Sequence, residues 1–238
     1  KRVALPAQTA TAPEPIQRLI LACKAYDAEN AIASIAGRLA EGASVLLLQN
    51  GLGSQAAVAA LIPQARCILL SSTEGAFRDG NFSVNFAGQG QNLLGDPQNP
   101  TPPDWLPELQ QAAIPGEWTT SIEARQWRKL AINCAINPLT ALYRCKNGEL
   151  EQHADALITM RDICTEVAII MRAEGLNADG EALFKVACQV ARQTSANTSS
   201  MLADVIAERP TEIDFMNGYV VNMALRHSIA TPINTAIT

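Results

Sequence analysis

The chain has 238 residues, a formal net charge of -5, and 48% hydrophobic against 17% charged residues. This length forms one large domain or two modest ones, and the composition excludes a mainly disordered or fibrous protein. No basic run marks a surface for phosphate backbones, and the longest apolar runs have the length of strands, well short of a membrane span. We therefore expect neither a nucleic-acid partner nor a membrane partner.

The cysteine and histidine content limits the chemistry. Six cysteines lie apart in apolar segments without CxxC pairs, which is typical of reduced core thiols and predicts a cytoplasmic protein. With only two histidines, neither a histidine-based metal site nor a Ser-His or Cys-His pair is favoured. We predict no metal site, which leaves lysine, asparagine, serine and carboxylate side chains as candidates.

Short apolar runs alternate with helical spacing from Arg18 to about Leu94. In chain order, strand, helix, strand, helix and strand are predicted over Leu19–Cys23, Ala28–Leu39, Val45–Leu48, Gln55–Leu61 and Cys67–Ser71. Successive strand–helix–strand units are typical of an α/β, Rossmann-like, doubly wound parallel sheet. The alternation over Phe82–Phe86, before a Gly88-Gln89-Gly90 turn, predicts an antiparallel hairpin at the edge of that sheet.

The predicted sheet begins where a dinucleotide-binding fold has a later strand. No GxGxxG motif follows a strand in the sequence. We therefore expect an incomplete sheet, with a first βαβ unit of about 30 residues or more and its phosphate-binding turn missing before Lys1.

The pattern changes in the second half. Six prolines between Asp96 and Pro115 leave room only for a short helix around Leu106–Ala112. Beyond this segment, Ser121 and Thr198 are the expected caps among helices predicted over Ile122–Tyr143, Ala154–Glu174, Gly180–Thr194, Ser199–Glu208 and Thr211–His227. The sequence thus predicts a Rossmann-like domain over 1–119 and an all-α domain over 120–238.

A polar stripe on the first long helix is the best candidate for chemistry. Lys129, Asn133 and Asn137 stand at i, i+4 and i+8 between apolar residues. Partial burial lowers the pKa of a lysine, which helps its ammonium to donate a proton to a developing alkoxide near neutral pH. The two carboxamides can hold polar groups of a small substrate. A solvent-facing helix edge explains the same stripe, so both interpretations stay open.

A second polar face lies on a later helix, where Asn197, Ser200 and Asp204 stand at i, i+3 and i+7. Short polar side chains suit recognition of a carboxylate or hydroxyl, but they also cap helices. Glu212 is either a carboxylate that orients the Lys129 ammonium or an acidic residue at the positive end of a helix dipole. The sequence leaves both pairs of interpretations open.

Two further candidates follow predicted strands. Lys24 comes directly after the first strand, and Asn50-Gly51-Leu52-Gly53 comes after the second. Open α/β sheets bind their ligands at the carboxyl ends of parallel strands, so both positions are informative. The glycines are equally explained by a tight turn that needs positive φ.

Several of these stretches, together with others along the chain, occur in the same order as in a known protein family. They are Cys23-Lys24-Ala25, Leu48–Gly53, Trp127–Leu130 with Asn133 and Asn137–Thr140, Asn147-Gly148, Asn197–Met201 with Asp204, Arg209–Asp214, and Asn217-Gly218. In this combination the chain resembles the 2-dehydropantoate 2-reductases, also called ketopantoate reductases. The resemblance covers nearly the whole chain.

The resemblance implies an NADPH-dependent oxidoreductase that reduces the 2-oxo group of ketopantoate to pantoate, in pantothenate and coenzyme A synthesis. It implies a Rossmann domain and a helical C-terminal domain. Separately, the apolar helices lead us to expect a homodimer through the helical domain. Lys129 would be the general acid and Glu212 its supporting carboxylate. By the same resemblance, substrate binding falls to Asn133, Asn137, Asn197 and Ser200, and cofactor binding near nicotinamide and ribose to Lys24 and Asn50.

Two rival functions stay open. A related reductase of another 2-oxo acid or of a polyol phosphate keeps the hydride chemistry and changes only the substrate. A catalytically inactive binding or scaffold protein keeps the fold and loses the chemistry. Tight, saturable NADPH binding separates the enzyme from the scaffold.

Overall fold

In a computed structural model, the structure describes residues 6–78, 80, 83–112 and 114–238. The chain forms two compact units: a sheet unit of Lys1–Gln49 with Ser54–Thr120, and a helical unit of Asn50–Gly53 with Ser121–Thr238. The four residues Asn50–Gly53 therefore belong to the helical unit, although they follow a strand of the sheet in sequence.

The sheet unit contains five strands in the order β1-β2-β3-β6-β7. Its strands and helices are β1 (Ile16–Leu21), α1 (Ala28–Ile35), β2 (Leu39–Leu47), α2 (Ser54–Leu61), β3 (Arg66–Ser72), β4 (Gly75–Arg78), β5 (Val84–Gly88), β6 (Asn92–Gly95), α3 (Leu106–Gln111) and β7 (Glu117–Trp118). Strands β1, β2 and β3 are parallel, as predicted. Strand β6 instead runs antiparallel to β3, and β7 is parallel to β6, so the sheet is mixed.

The predicted edge hairpin exists but does not join the main sheet. Strand β5 pairs with β4 as a separate two-stranded sheet, and Phe82, at the start of the predicted strand, lies outside the described residues. The main-chain N–H of Thr73 donates to the carbonyl of Gln91 at 2.9 Å, between the β3–β6 pair and the hairpin. The chain thus leaves β3, turns through the hairpin and returns as β6, which explains why β6 is antiparallel.

Alternate residues of β2 face opposite sides of the sheet. Val45 and Leu47 pack with Ile32 of α1 and Val58 of α2 in one apolar cluster. Leu46 lies in another cluster, with members on β3, β6, α3 and β7. The sheet is therefore covered on both faces, as the near-continuous apolar runs predict.

The helical unit is built around its longest helix. Its helices are α4 (Ile122–Tyr143), α5 (Ala154–Ala173), α6 (Gly180–Gln193), α7 (Ser200–Ile206), α8 (Asn217–Arg226) and α9 (Pro232–Ile237), with 3-10 turns over Asn147–Gln152 and Ile213–Phe215. Helix α4 packs against α5, α6 and α7. None of the described helices is both long and apolar enough to cross a membrane.

Several predicted boundaries are wrong. The helix predicted over Ala28–Leu39 ends at Ile35, and strand β2, predicted from Val45, already begins at Leu39. The helix predicted over Thr211–His227 is a 3-10 turn followed by α8, because Met216 adopts φ -108° and ψ -98°, which no helix accommodates. The expected cap Thr198 is replaced by Ser199, whose Oγ accepts the Leu202 N–H at 3.1 Å.

A buried carboxylate ties α5 to the last helix. Glu166 is 8% exposed and accepts hydrogen bonds from the main-chain N–H groups of Ile233 (2.8 Å) and Asn234 (2.9 Å). It also accepts from Nδ2 of Asn234 at 2.7 Å. These N–H groups lie in the first turn of α9, where a helix supplies no partners of its own. Oδ1 of Asn234 then accepts from Nδ2 of Asn217, at the start of α8, at 3.0 Å.

We expect Glu166→Ala to lower the free energy of unfolding by about 2–3 kcal/mol, because it removes charge-assisted hydrogen bonds and leaves buried donors unpaired. Denaturant unfolding followed by circular dichroism measures the change. The matched control is Asp162→Ala, an exposed acidic residue one turn earlier on the same helix, for which we expect a change within about 0.5 kcal/mol. Equal effects of the two substitutions would show that the network contributes nothing specific.

Candidate active site

Lys129 occupies a half-buried position on α4 and points its ammonium at a carboxamide. Its Nζ donates a hydrogen bond to Oδ1 of Asn50 at 3.1 Å. Burial lowers the pKa of Lys129, since removal of water penalises the charged amine, and the negative charge of Glu212 partly opposes the shift. The solvent-facing alternative for the stripe does not hold at this residue.

Glu212 is 3% exposed, directly before the 3-10 turn Ile213–Phe215. A carboxylate is rarely buried to this extent unless polar or charged partners surround it. Its charge acts on the Lys129 ammonium and favours the protonated form. Burial and this charge favour the interpretation in which Glu212 supports the lysine over that of a simple helix-dipole residue.

The polar stripe on α4 runs from partial to complete burial. Asn133 is half-buried one turn beyond Lys129. Asn137, one turn further, is buried, and its Nδ2 donates to Sδ of Met216 at 3.8 Å. Lys129 and Asn133 are thus the more accessible members of the stripe, and Asn137 also packs against the segment that follows Glu212.

The polar residues near the start of α7 have different environments. Ser199 caps the helix and shares a hydrogen bond with Thr140 of α4 at 2.7 Å, whereas the side chains of Asn197 and Ser200 are exposed. Because Ser199 caps the helix, Asn197 and Ser200 are not needed for capping. Asp204 is buried and accepts hydrogen bonds from Nε and Nη2 of Arg209 at 3.2 and 3.0 Å.

In the sheet unit, the candidate position at the end of β1 is tied to the end of β2. Lys24 is half-buried and precedes the 3-10 turn Ala25–Asp27. Gln49 is buried, and its Nε2 donates to the carbonyls of Leu21 (2.9 Å) and Cys23 (3.4 Å). Sequence reasoning missed Gln49, although its position between a strand and Asn50 was a signal for it.

The turn after β2 has the backbone that its glycines predict. Gly51 has φ +76° and Gly53 has φ +103°, values that glycine adopts without strain. The turn also presents Asn50 to Lys129. Tight-turn geometry and contact with the candidate lysine therefore coexist in the same four residues.

Comparison with known proteins places this chain in a family. A family model described as "Ketopantoate reductase PanE/ApbA" matches residues 1–99, and its C-terminal companion, "Ketopantoate reductase PanE/ApbA C terminal", matches residues 121–238. The chain is 36% identical to a 2-dehydropantoate 2-reductase of Shigella flexneri, over 92% of this chain and 71% of that protein. It is 37% identical to a 2-dehydropantoate 2-reductase of Vibrio cholerae, over 92% of this chain and 74% of that protein.

A solved structure shows the same fold. The crystal structure of a probable 2-dehydropantoate 2-reductase from Bacillus subtilis is similar with a TM-score of 0.78 and 27% identity, covering 95% of this chain and 76% of that one. The fold and these matches define an oxidoreductase with a Rossmann-like sheet and a helical C-terminal region. The chain belongs to the ketopantoate reductase family, which confirms the expected family and fold class.

We expect Glu212→Gln to lower the pKa of Lys129 further, because the substitution removes the negative charge that favours the ammonium and leaves burial unopposed. An NMR titration of the lysine Cε and Nζ signals measures the pKa. Asp214→Asn is the matched control, since it removes one carboxylate two residues away at an exposed position. An unchanged Lys129 pKa in Glu212→Gln would show that the charge of Glu212 does not act on the lysine.

Proposed function

We propose that the protein reduces 2-dehydropantoate to pantoate with NADPH, as a step of pantothenate and coenzyme A synthesis, and that Lys129 is the general acid. Relatives at 36–37% identity bear the name of this reaction. The observation that carries the proposal is the half-buried Lys129 ammonium, whose pKa burial lowers and whose Nζ is oriented by Asn50. A cytoplasmic location and a homodimer stay predictions.

The residues of the chain fit the nicotinamide end of such a cofactor. Lys24 and Asn50 follow two adjacent parallel strands, where open α/β sheets bind nucleotides. Buried Gln49 has an oxygen, Oε1, without a hydrogen-bond partner among the described residues, which is a polar group suited to a bound molecule. We assign Lys24 and Asn50 to the nicotinamide and ribose, and residues 1–119 to dinucleotide binding.

When bound, the nicotinamide cofactor supplies the hydride that reduces the carbonyl carbon. The carbonyl oxygen then gains negative charge, and the Lys129 ammonium donates one proton to it, so that an alcohol and a neutral amine result. A positioned general acid of this kind accelerates a reaction by about 10²–10⁴-fold. Burial assists the transfer, since an ammonium with a lowered pKa gives up its proton more readily.

Uncharged groups of the chain suit the remainder of the substrate. We assign Asn133, Asn137, Asn197 and Ser200 to the carboxylate and hydroxyl of ketopantoate. Amide and hydroxyl donors bind a carboxylate without adding a positive charge that would favour loss of the proton from Lys129. Glu212 acts in the opposite direction and keeps the amine protonated between turnovers.

We expect Lys129→Ala to lower kcat for ketopantoate by about 10²–10⁴-fold and to leave the NADPH dissociation constant nearly unchanged. NADPH oxidation and NADPH titration measure the two quantities, in the longest form of the chain that its reading frame encodes. Lys185→Ala, at an exposed position on α6, is the matched control with unchanged kcat. Full turnover in Lys129→Ala would exclude it as the acid, and no saturable NADPH binding by the parent protein would favour the scaffold function.

We expect 3,3-dimethyl-2-oxobutanoate, which is ketopantoate without its hydroxyl group, to have a kcat/KM at least about 100-fold lower. A site that hydrogen-bonds a substrate hydroxyl discriminates strongly against the analogue that lacks it. Parallel steady-state assays with the two acids make the comparison. Equal values would instead favour a reductase of another 2-oxo acid.

A further inference from the structure

The turn Asn50–Gly53 docks on the segment that carries Glu212. The main-chain N–H of Leu52 donates to the carbonyl oxygen of Phe215 at 2.8 Å. The side chain of Leu52 is buried in the apolar core of the helical unit. The backbone hydrogen bond and the buried side chain of Leu52 both hold the turn on this segment.

Gly51 is the residue that permits this approach. A Cβ atom at Gly51 would lie 2.2 Å from the carbonyl oxygen of Phe215 and 2.7 Å from its carbonyl carbon. Both are backbone atoms, which cannot rotate away as the end of a flexible side chain can. Any other residue would push the turn off Phe215, in addition to the strain of φ +76°.

Phe215 is itself fixed relative to α4, the helix that carries Lys129. Its N–H donates to the carbonyl of Glu212 at 3.1 Å, which closes the 3-10 turn. Two residues later, Nδ2 of Asn217 donates to the carbonyl of Cys134 on α4 at 3.3 Å. The Phe215 carbonyl is therefore a fixed acceptor in the same framework as the lysine.

From this geometry we propose that Gly51 is a positioning residue: it lets the turn dock on Phe215, and the docked turn holds Oδ1 of Asn50 on the Lys129 ammonium. The inference rests on the proposed function, in which that ammonium delivers the proton. Without the contact between the turn and Phe215, the Asn50 side chain loses its fixed place 3.1 Å from Nζ of Lys129. The ammonium is then free to rotate away from the reacting oxygen. Gly51 has no side chain that could contact the ammonium, so its proposed effect on Lys129 passes through Asn50.

A double-mutant cycle tests this dependence. We expect Gly51→Ala and Asn50→Ala each to lower kcat by about 10- to 100-fold, the range of one hydrogen bond to a charged group. We expect the double variant to equal the more impaired single variant, because both changes remove the same interaction. Multiplicative effects in the double variant would overturn the proposal.

Gly175→Ala is the matched control for backbone strain. Gly175 has φ +79°, close to that of Gly51, but a Cβ there would meet no atom within 4 Å. We expect this variant to keep the parental kcat, although it carries the same strain. A loss of kcat equal to that of Gly51→Ala would assign the effect to strain and overturn the proposal.

Two further measurements keep the test independent of folding and of activity. If Gly51→Ala does not fold, an ester in place of the Gly51–Leu52 peptide bond removes the Leu52 N–H donor without adding a Cβ atom. We expect the same non-additivity of this change with Asn50→Ala. NMR of the Lys129 NH₃⁺ group reports on the contact directly, through the rate at which its protons exchange with water. We expect slow exchange in the parent protein and fast exchange in the folded Gly51→Ala, the ester variant and Asn50→Ala. An unchanged NH₃⁺ signal in the folded Gly51→Ala or in the ester variant would overturn the proposal that the contact of the turn with Phe215 positions Asn50. Absent turnover in the parent protein would overturn only the proposed function.

Discussion

The candidate active site is organised around one partly dehydrated positive charge. The Lys129 ammonium donates a hydrogen bond to the uncharged Oδ1 of Asn50, and the negative charge of buried Glu212 acts on it. Burial favours the neutral amine, and Glu212 favours the ammonium. Burial outweighs the charge of Glu212 and lowers the pKa of Lys129, which is the direction that the proposed role as a general acid requires.

The segment Glu212–Asn217 fixes the surroundings of that charge. It contributes the carboxylate, the Phe215 carbonyl that accepts the Leu52 N–H, and the Met216 sulfur beside Asn137. Asn217 anchors its end to the Cys134 carbonyl and, through Asn234, to the buried Glu166 of α5. Short contacts of this kind hold catalytic groups in place, because each member is itself restrained by a second set of hydrogen bonds.

Local patterns predicted most of the helices, the parallel strands and several candidate residues. Apolar periodicity predicted α1, α2, α4, α5, α6 and the parallel strands, and the spacing of the prolines left room for α3. Helical spacing placed Lys129 and Asn133 one turn apart on α4. The antiparallel direction of β6 was missed, because it follows from the hairpin that leaves and rejoins the sheet at Thr73 and Gln91. The approach of Gly51 to Phe215 was missed because the two residues are more than 160 positions apart, and no local pattern encodes their contact. The break at Met216 was missed because the helical spacing continues across it.

The pKa of Lys129 in the unmodified protein is the most direct test of this account. An NMR titration of its Nζ and Cε signals, assigned by comparison with Lys129→Ala, measures it without any substrate or cofactor. The account predicts a pKa below the value of about 10.4 for a lysine in water, because burial outweighs the charge of Glu212. A pKa at or above that value would contradict a dehydrated ammonium and, with it, the proposed acid.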